Sequence, residues 1–594
     1  MRNLDKRKFG YAAWLILLAG LWIAPEMRAQ SGTNVTVAFS TTNTTPLNQG
    51  FAGFACEMLD TGLEYDNTNF QQFVASLSPG WIRYPSGISD DAFNWATGLT
   101  ESNWIDVLGS YDDTVGSNSC TYTYLPLLGK GGAQFTNFTY MTRNVGGAKI
   151  IVVLNCFTDT TNSAGAFAAF ALSNHIPVAA WELCNEPYNF TSGASNFFAN
   201  ATDYANKMLP YRNAVKAADS NAVVAVFYSD PGRGGNDWDN ALDRYTNKYW
   251  DAVTYHYYPT PALTNFADLM AYDNGVLLSN TTLFVSNNMI ASNNPSTTFM
   301  ITEFQPVAGS GAGTTDQHQN PPSATLYGGV YASEFIMRMS TVPQMKFVGN
   351  FQLFNQNGIY ATNVFRNAVV TAANGGYVTN TQHEPFGFYL SAQVTAEAVA
   401  YWAINRSTAL YSTTVNTNGP TVPINTNYNA TMPAIYAQAY QGGNGKRYVV
   451  LTNKGSNAAP VQIVEDGLAL TNSFLETFVT GSDPSATNSS PELSPVGIQS
   501  QTATNPVTIP EYSVVRLEWT VFNVPPPSLA LTASIPARTL GWIGLTNVTY
   551  DVQTTTNLAG TWATLGKISS TQTNFSFTDL NNSESLRFYR LVVP

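Results

Sequence analysis

Eight short β-rich apolar runs, spaced along the first two thirds of the chain and separated by helical or loop segments, constrain this sequence more than any other feature. They are Phe51–Met58, Gly80–Pro85, Lys149–Cys156, Ala179–Glu186, Ala222–Ser229, Trp250–Tyr258, Thr297–Phe304 and Lys346–Phe354. Runs that are apolar on both faces belong to strands buried on both sides, and strand–helix alternation is the signature of a parallel sheet. Ala164–His175 and Asn196–Asp219 carry helical spacing between the runs, the second with Phe197, Ala201, Tyr204, Met208 and Val215 on one face and Pro210 as an expected kink. Eight such units predict a (β/α)8 barrel with long loops.

Two of the runs end in a carboxylate. Trp181-Glu182-Leu183-Cys184-Asn185-Glu186-Pro187 closes the fourth, and Phe299-Met300-Ile301-Thr302-Glu303 closes the seventh. The C-terminal ends of barrel strands carry the catalytic groups of this fold, so Glu186 and Glu303 are expected at one mouth. Two facing carboxyls about 5–5.5 Å apart suit cleavage of a glycosidic bond with retention, one as acid and one as nucleophile.

After the eighth run a helix is predicted over Pro385–Asn405, and the pattern then changes to strands broken by Gly, Asn and Pro. Ala434–Gln441, Lys446–Asn453, Pro460–Val464, Phe474–Thr480 and Tyr512–Val521 read as an antiparallel β-sandwich, which the early strand near Val35 can join. Pro525-Pro526-Pro527 reads as a stiff linker. The expected organisation is a leader at 1–29, a barrel at 33–406, a sandwich at 407–522, a linker at 523–528 and a small all-β accessory module at 529–594. The insertion Ser86–Ala133, with Trp95, Trp104, Tyr111 and Tyr122, either walls a substrate cleft or forms its own aromatic cluster.

The first residues look like an export signal: Arg2, Lys6, Arg7 and Lys8 precede the apolar run Tyr11–Ala24, and small residues end near Ala29. No transmembrane segment is expected in the mature chain, and the expected place of action is secreted, periplasmic or at the cell surface. With 11% charged residues and a net charge of −12, the chain does not suit a nucleic-acid partner held by charge. Cys56, Cys120, Cys156 and Cys184 allow disulfides or buried free thiols, and His175, His256, His318 and His383 show no metal-ligand spacing. Neither a metal nor another cofactor is predicted. Sequons such as Asn34, Asn137, Asn200 and Asn547 are expected by chance in a chain rich in Asn and Thr.

Asn185-Glu186-Pro187 after a strand, with Glu303 closing the seventh, resembles the retaining (β/α)8 glycoside hydrolases of clan A. Within that clan, Trp181-Glu182-Leu183 before the tripeptide is similar to the heparanase and β-glucuronidase family, family 79. Arg83-Tyr84-Pro85-Ser86-Gly87 with Asn94-Trp95 resembles the α-L-arabinofuranosidases. The resemblance implies Glu186 as acid/base, Glu303 as nucleophile and Asn185 on the sugar hydroxyl beside the anomeric carbon. It further implies Arg83 holding Glu303 ionised, and His256 and Tyr258 orienting it. Cys184 and Ser86 depart from it, standing where relatives carry glycine.

The implied substrate is an oligo- or polysaccharide, either a uronic-acid glycan or an arabinoside or xyloside. A non-catalytic polysaccharide-binding protein on a barrel scaffold is the rival from another class. For Arg83 the alternative is a buried ion pair with Glu57 or Glu182; for His256 it is a core histidine. Gln352 and Asn355 either touch sugar or serve the fold, and Gly309-Ser310-Gly311-Ala312-Gly313 is either a concavity for a carboxylate or a mobile loop.

Overall fold

The structure, a computed structural model, describes residues 35–592 except for 57–64, 108–133, 189–196, 230–234, 258–292, 305–324, 356–363, 367–387, 522–528 and several shorter stretches. Eight parallel strands close a barrel in sequential order: β1 (Ala52–Ala55), β2 (Trp81–Tyr84), β3 (Lys149–Leu154), β4 (Val178–Leu183), β5 (Val224–Phe227), β6 (Ala252–Tyr257), β7 (Thr298–Phe304) and β8 (Met345–Asn350). Each coincides with one of the eight apolar runs, because a barrel strand buries one face inside and the other under helices.

Around it lie α1 (Thr68–Ser76), α2 (Phe135–Asn144), α3 (Thr161–Ser173), α4 (Ala201–Ala218), α5 (Gly235–Asp243), α6 (Leu326–Ser340) and α7 (Ala392–Arg406). Side chains cap four of them: Thr160 accepts from Ser163 N, Asn200 from Asp203 N, Thr325 from Gly328 N and Ser391 from Val394 N. The last helix therefore starts at Ala392 instead of Pro385, since Phe388–Leu390 is a strand and Ser391 supplies the cap. Pro210 lies inside α4.

The barrel floor is apolar, built from Trp81, Ile151, Ala180, Ala225, Ala252, Met300 and Phe347. Gly53 and Gly349 leave room there for the Trp81 ring, which a Cβ at either position would meet within 2.5 Å. Two residues further along β2, β4 and β6 the interior turns polar, at Arg83, Glu182 and Thr254. This step from an apolar floor to a polar layer sets the height of the site.

Beyond the barrel, β9 (Ser407–Val415), β10 (Ile435–Gly442), β11 (Lys446–Asn453), β12 (Ala459–Glu465), β13 (Ser473–Val479), β14 (Gln499–Thr504) and β15 (Ser513–Thr520) belong to one ten-stranded sheet. The N-terminal strand Val35–Pro46 runs antiparallel to β9 and parallel to β12. Phe39 of that strand lies 6.1 Å from Trp519 of β15, which is four strands away. A flat sheet would hold them about 19 Å apart, so the sheet rolls over on itself and encloses a second core. Its other face packs on α6 and α7, with Tyr440, Tyr448, Val450 and Val514 joining the barrel core.

The described residues between 529 and 592 form two three-stranded antiparallel sheets around Leu540, Trp542, Tyr550, Val552 and Phe575. In this unit the Arg590 guanidinium lies 4.4 Å from the Trp562 ring centre. No described helix is long and apolar enough to cross a membrane; the leader-like segment 1–29 lies outside the described residues.

Candidate active site

Arg83 is the hub of the polar layer. It is fully buried on β2, and each of its three nitrogens reaches a different partner: Nε donates to Glu182 Oε2 at 2.6 Å, Nη1 to Glu303 Oε1 at 2.5 Å and Nη2 to Asn185 Oδ1 at 2.8 Å. Burial disfavours its charge, but Glu182 and Glu303 together outweigh that cost and hold the guanidinium above its ordinary pKa. Both readings of Arg83 thus describe it at once, as partner of Glu303 and as buried ion pair of Glu182. Glu57, the other partner considered, lies outside the described residues.

Glu186 and Glu303 share a third neighbour. His256 Nδ1 lies 2.8 Å from Glu186 Oε1 and 3.3 Å from Glu303 Oε2. One ligand atom from each of Glu186, His256 and Glu303 falls within 4.8 Å of the others. All three are buried, with Glu186 and Glu303 each 4% exposed. Sequence reasoning set His256 beside Glu303; the imidazole is in fact closer to Glu186, and packs edge-on against Phe227 at 5.1 Å. The three could also hold one metal ion, the group of described residues with donor atoms close enough to do so.

Local backbone aims the two glutamates. On β7 the pairing with β6 shifts between Ile301–Tyr255 and Glu303–His256, so Thr302 is an extra residue in a bulge. Neighbouring side chains on a regular strand point to opposite faces, whereas a bulge lets Thr302 and Glu303 both enter the barrel. Glu186 instead leaves β4 through Cys184, which is completely buried and holds a φ of 76°, the left-handed backbone that glycine adopts without strain.

Glu182, weighed from the sequence only as an ion-pair partner of Arg83, and Thr254, Thr302 and Tyr188, which sequence reasoning passed over, complete the layer. Glu182 Oε1 accepts from Thr254 Oγ1 and from Thr302 Oγ1, both at 2.7 Å, and the two hydroxyls lie 2.8 Å apart. Tyr188 OH lies 3.4 Å from Glu186 Oε1. Position was the available signal: Tyr188 follows Asn185-Glu186-Pro187, Glu182 precedes it, and Thr302 stands next to Glu303. Threonines in strands otherwise look like ordinary β-formers.

Trp95 is drawn to the barrel wall. It stacks on Phe167 of α3 at 4.4 Å and donates to Ser163 Oγ at 3.0 Å. Behind it, a small cavity is lined by Asp90, Asn155, Asp159 and Phe93 among others. Burial, reinforced by Asp91, pushes the Asp90 carboxyl well above the usual range. Among the described residues Cys56, Cys156 and Cys184 are buried and form no disulfide, and burial raises the pKa of both Cys156 and Cys184. Tyr258, Gln352, Cys120, Tyr111, Tyr122 and the glycines at 309–313 lie outside the described residues, and of Asn355 only the backbone is described.

No protein-family model matches the sequence, and no curated protein matches it either. The fold does have relatives among solved structures. An α-L-arabinofuranosidase from Thermotoga maritima in complex with arabinose is 17% identical, covering 82% of this chain and 100% of its own, with a TM-score of 0.60. A family 51 arabinofuranosidase from Xanthomonas axonopodis pv. citri is 15% identical over 82% and 99% of the two chains, with a TM-score of 0.57. A family 51 α-L-arabinofuranosidase from Bifidobacterium longum is 16% identical over 82% and 99%, with a TM-score of 0.59. The likeness is one of fold: a closed parallel barrel with a β-rich domain behind it. It bears out the arabinofuranosidase resemblance at that level.

Proposed function

We propose that the chain is a retaining glycoside hydrolase acting on α-L-arabinofuranosides or closely related neutral glycosides. The observation that carries the reading is the approach of donor atoms of Glu186 and Glu303 to within 4.8 Å, both facing His256 Nδ1, with Arg83 bound to Glu303. Such closeness suits the carboxyl pair of a retaining enzyme, about 5–5.5 Å apart, better than that of an inverting one, about 6.5–9.5 Å apart.

In this reading Glu303 attacks the anomeric carbon while Glu186 gives its proton to the departing oxygen. Water, activated by the Glu186 carboxylate, then hydrolyses the glycosyl ester on Glu303 and restores both groups. Arg83 sets its positive charge directly against the nucleophile, Nη1 donating to Glu303 Oε1 at 2.5 Å. It also takes the Asn185 carbonyl oxygen, which leaves the Asn185 Nδ2–H donors for a sugar hydroxyl. Tyr258, one residue beyond β6, belongs to the same proposal as a supporting residue.

Charge favours a neutral sugar over a uronic acid. Among the described residues the cation in the cluster is Arg83, and its three nitrogens are committed to protein oxygens. The arabinofuranosidase folds support the pentose choice, and the leader-like segment 1–29 supports action outside the cytoplasm. The module 529–594 is an accessory unit in this reading.

The test is covalent trapping. Aryl 2-deoxy-2-fluoro glycosides of arabinofuranose, xylose, glucose, galactose and glucuronic acid are incubated with the full chain, and the labelled peptide is mapped by mass spectrometry. An ester on Glu303 from the arabinofuranoside is the expected result. A label on another residue, or none from any sugar together with unaltered hydrolysis by Glu303→Gln, overturns the mechanism; a label from the glucuronide alone overturns the sugar.

A further inference from the structure

We propose that Glu182 is a positioning residue that divides the charge of Arg83 with Glu303, and so sets how readily Glu303 gives and recovers its electron pair. The inference rests on the reading of Glu303 as nucleophile.

Glu182 is a third buried carboxylate, one layer below the pair, and nothing in the proposed chemistry consumes it. It lies within hydrogen-bond reach of no reacting group; its Oε2 holds Arg83 Nε at 2.6 Å while Arg83 Nη1 reaches Glu303 at 2.5 Å. A planar guanidinium gripped on two edges cannot rotate to face either carboxylate squarely. Glu303 is therefore denied the paired fork that binds a carboxylate most tightly.

The second oxygen of Glu182 is held independently. Thr254 and Thr302 both donate to Oε1, from β6 and from the bulge of β7. These hydroxyls relieve part of the negative charge on Glu182 and so limit its pull on Arg83. Arg83 stands on β2, Glu182 on β4, Thr254 on β6 and Thr302 beside the nucleophile on β7, so the balance is fixed from four strands. The bulge that lets Glu303 face the cleft also delivers the Thr302 hydroxyl to the group competing with Glu303 for Arg83.

Charge division makes two substitutions act in opposite directions. Glu182→Gln gives the whole guanidinium charge to Glu303, which makes it a weaker nucleophile and a better leaving group. The double variant Thr254→Val with Thr302→Val leaves Glu182 less satisfied, draws Arg83 toward it, and makes Glu303 a stronger nucleophile and a poorer leaving group. In each case the affected bond is the one between Glu303 oxygen and the anomeric carbon, formed in the first step and broken in the second.

The experiment uses the full chain and 2,4-dinitrophenyl 2-deoxy-2-fluoro-α-L-arabinofuranoside, measuring the rate constants for ester formation and for ester hydrolysis. Their ratio should fall about threefold to tenfold in Glu182→Gln and rise by a similar factor in the double valine variant, the scale on which an adjacent charge alters a carboxylate. Thr302→Ser with Thr254 intact, which keeps both hydroxyls, should retain the wild-type ratio. A merely structural Glu182 lowers the fraction of protein that can be labelled and leaves the ratio unchanged. Should Glu182→Gln fail to fold by circular dichroism, the valine variant decides: an unchanged or lowered ratio there overturns the inference. Failure of the unaltered chain to form an ester at Glu303 overturns the parent reading and this inference with it, whereas labelling with an unresponsive ratio overturns this inference alone.

Discussion

Cys184 and Glu186 both hold left-handed backbone, with φ of 76° and 38°, on either side of Asn185. A side chain in that region costs about 1–2 kcal/mol, and a β-branched one costs more. Cys184 is completely buried, so removing its side chain also forfeits packing. Cys184→Gly should therefore be close to neutral in denaturant unfolding, because relief of strain offsets the small cavity. Cys184→Val should destabilise by about 2 kcal/mol or more and depress kcat, since the misplaced turn carries Glu186.

Loss of the acid should show in the leaving group. Glu186→Ala is expected to slow hydrolysis of glycosides with alkyl leaving groups about 10²–10⁴-fold, the usual span of general acid catalysis. Ester formation from a dinitrophenyl glycoside, which needs no proton, should change far less. Added azide should then yield a glycosyl azide of retained configuration, read by NMR.

Glu397 of α7 is buried against β8, accepting from Gln393 Nε2 at 2.7 Å and from Asn350 Nδ2. Burial pushes its carboxyl up to about 8, against the opposing pull of those donors. From the ordinary carboxylate value up to about pH 8 the folded chain holds a proton that the unfolded chain has released. Stability from this group therefore falls as pH rises across that window, at most by about 1.4 kcal/mol per unit, and levels off above it. Denaturation midpoints from pH 5 to 9 should show this decline, and Glu397→Gln should flatten it.

Barrel and sheet are joined by a buried ion pair. Lys454 beside β11 contacts Glu334 of α6, and both are almost fully buried, while Arg338 Nη2 holds the other Glu334 oxygen at 2.7 Å. Lys454→Met should cost about 3 kcal/mol in denaturant unfolding, because it strips a buried carboxylate of one counter-charge. Lys446→Met, which breaks a pair whose lysine side chain is 44% exposed, should cost under about 1 kcal/mol. Equal losses in the two variants would contradict this account of the interface.

Much of the fold was legible because barrel strands, buried on both faces, leave apolar runs that mark themselves off from loops. The ends of those runs also placed Glu186, Glu303, Arg83 and His256. The bulge at Thr302 was not legible: Met300-Ile301-Thr302-Glu303 reads as plain strand, and an extra residue appears only when its register with β6 is known. The sequence likewise left open whether Trp95 lines a cleft or joins an aromatic cluster of its own insertion; its neighbours are Phe167 and Ser163 of α3.

By itself the sequence determined the alternation of strands and helices and the two carboxylates at strand ends, since both follow from which side chains must leave water. Tertiary structure alone decided that Val37 pairs with both Val415 and Ile463, and that Arg83 is shared among Glu182, Glu303 and Asn185. Local pattern fixes the face a side chain takes within its own strand. Which oxygen it meets across the barrel depends on the stagger of distant strands and on one inserted residue, and these arise only when the sheet closes.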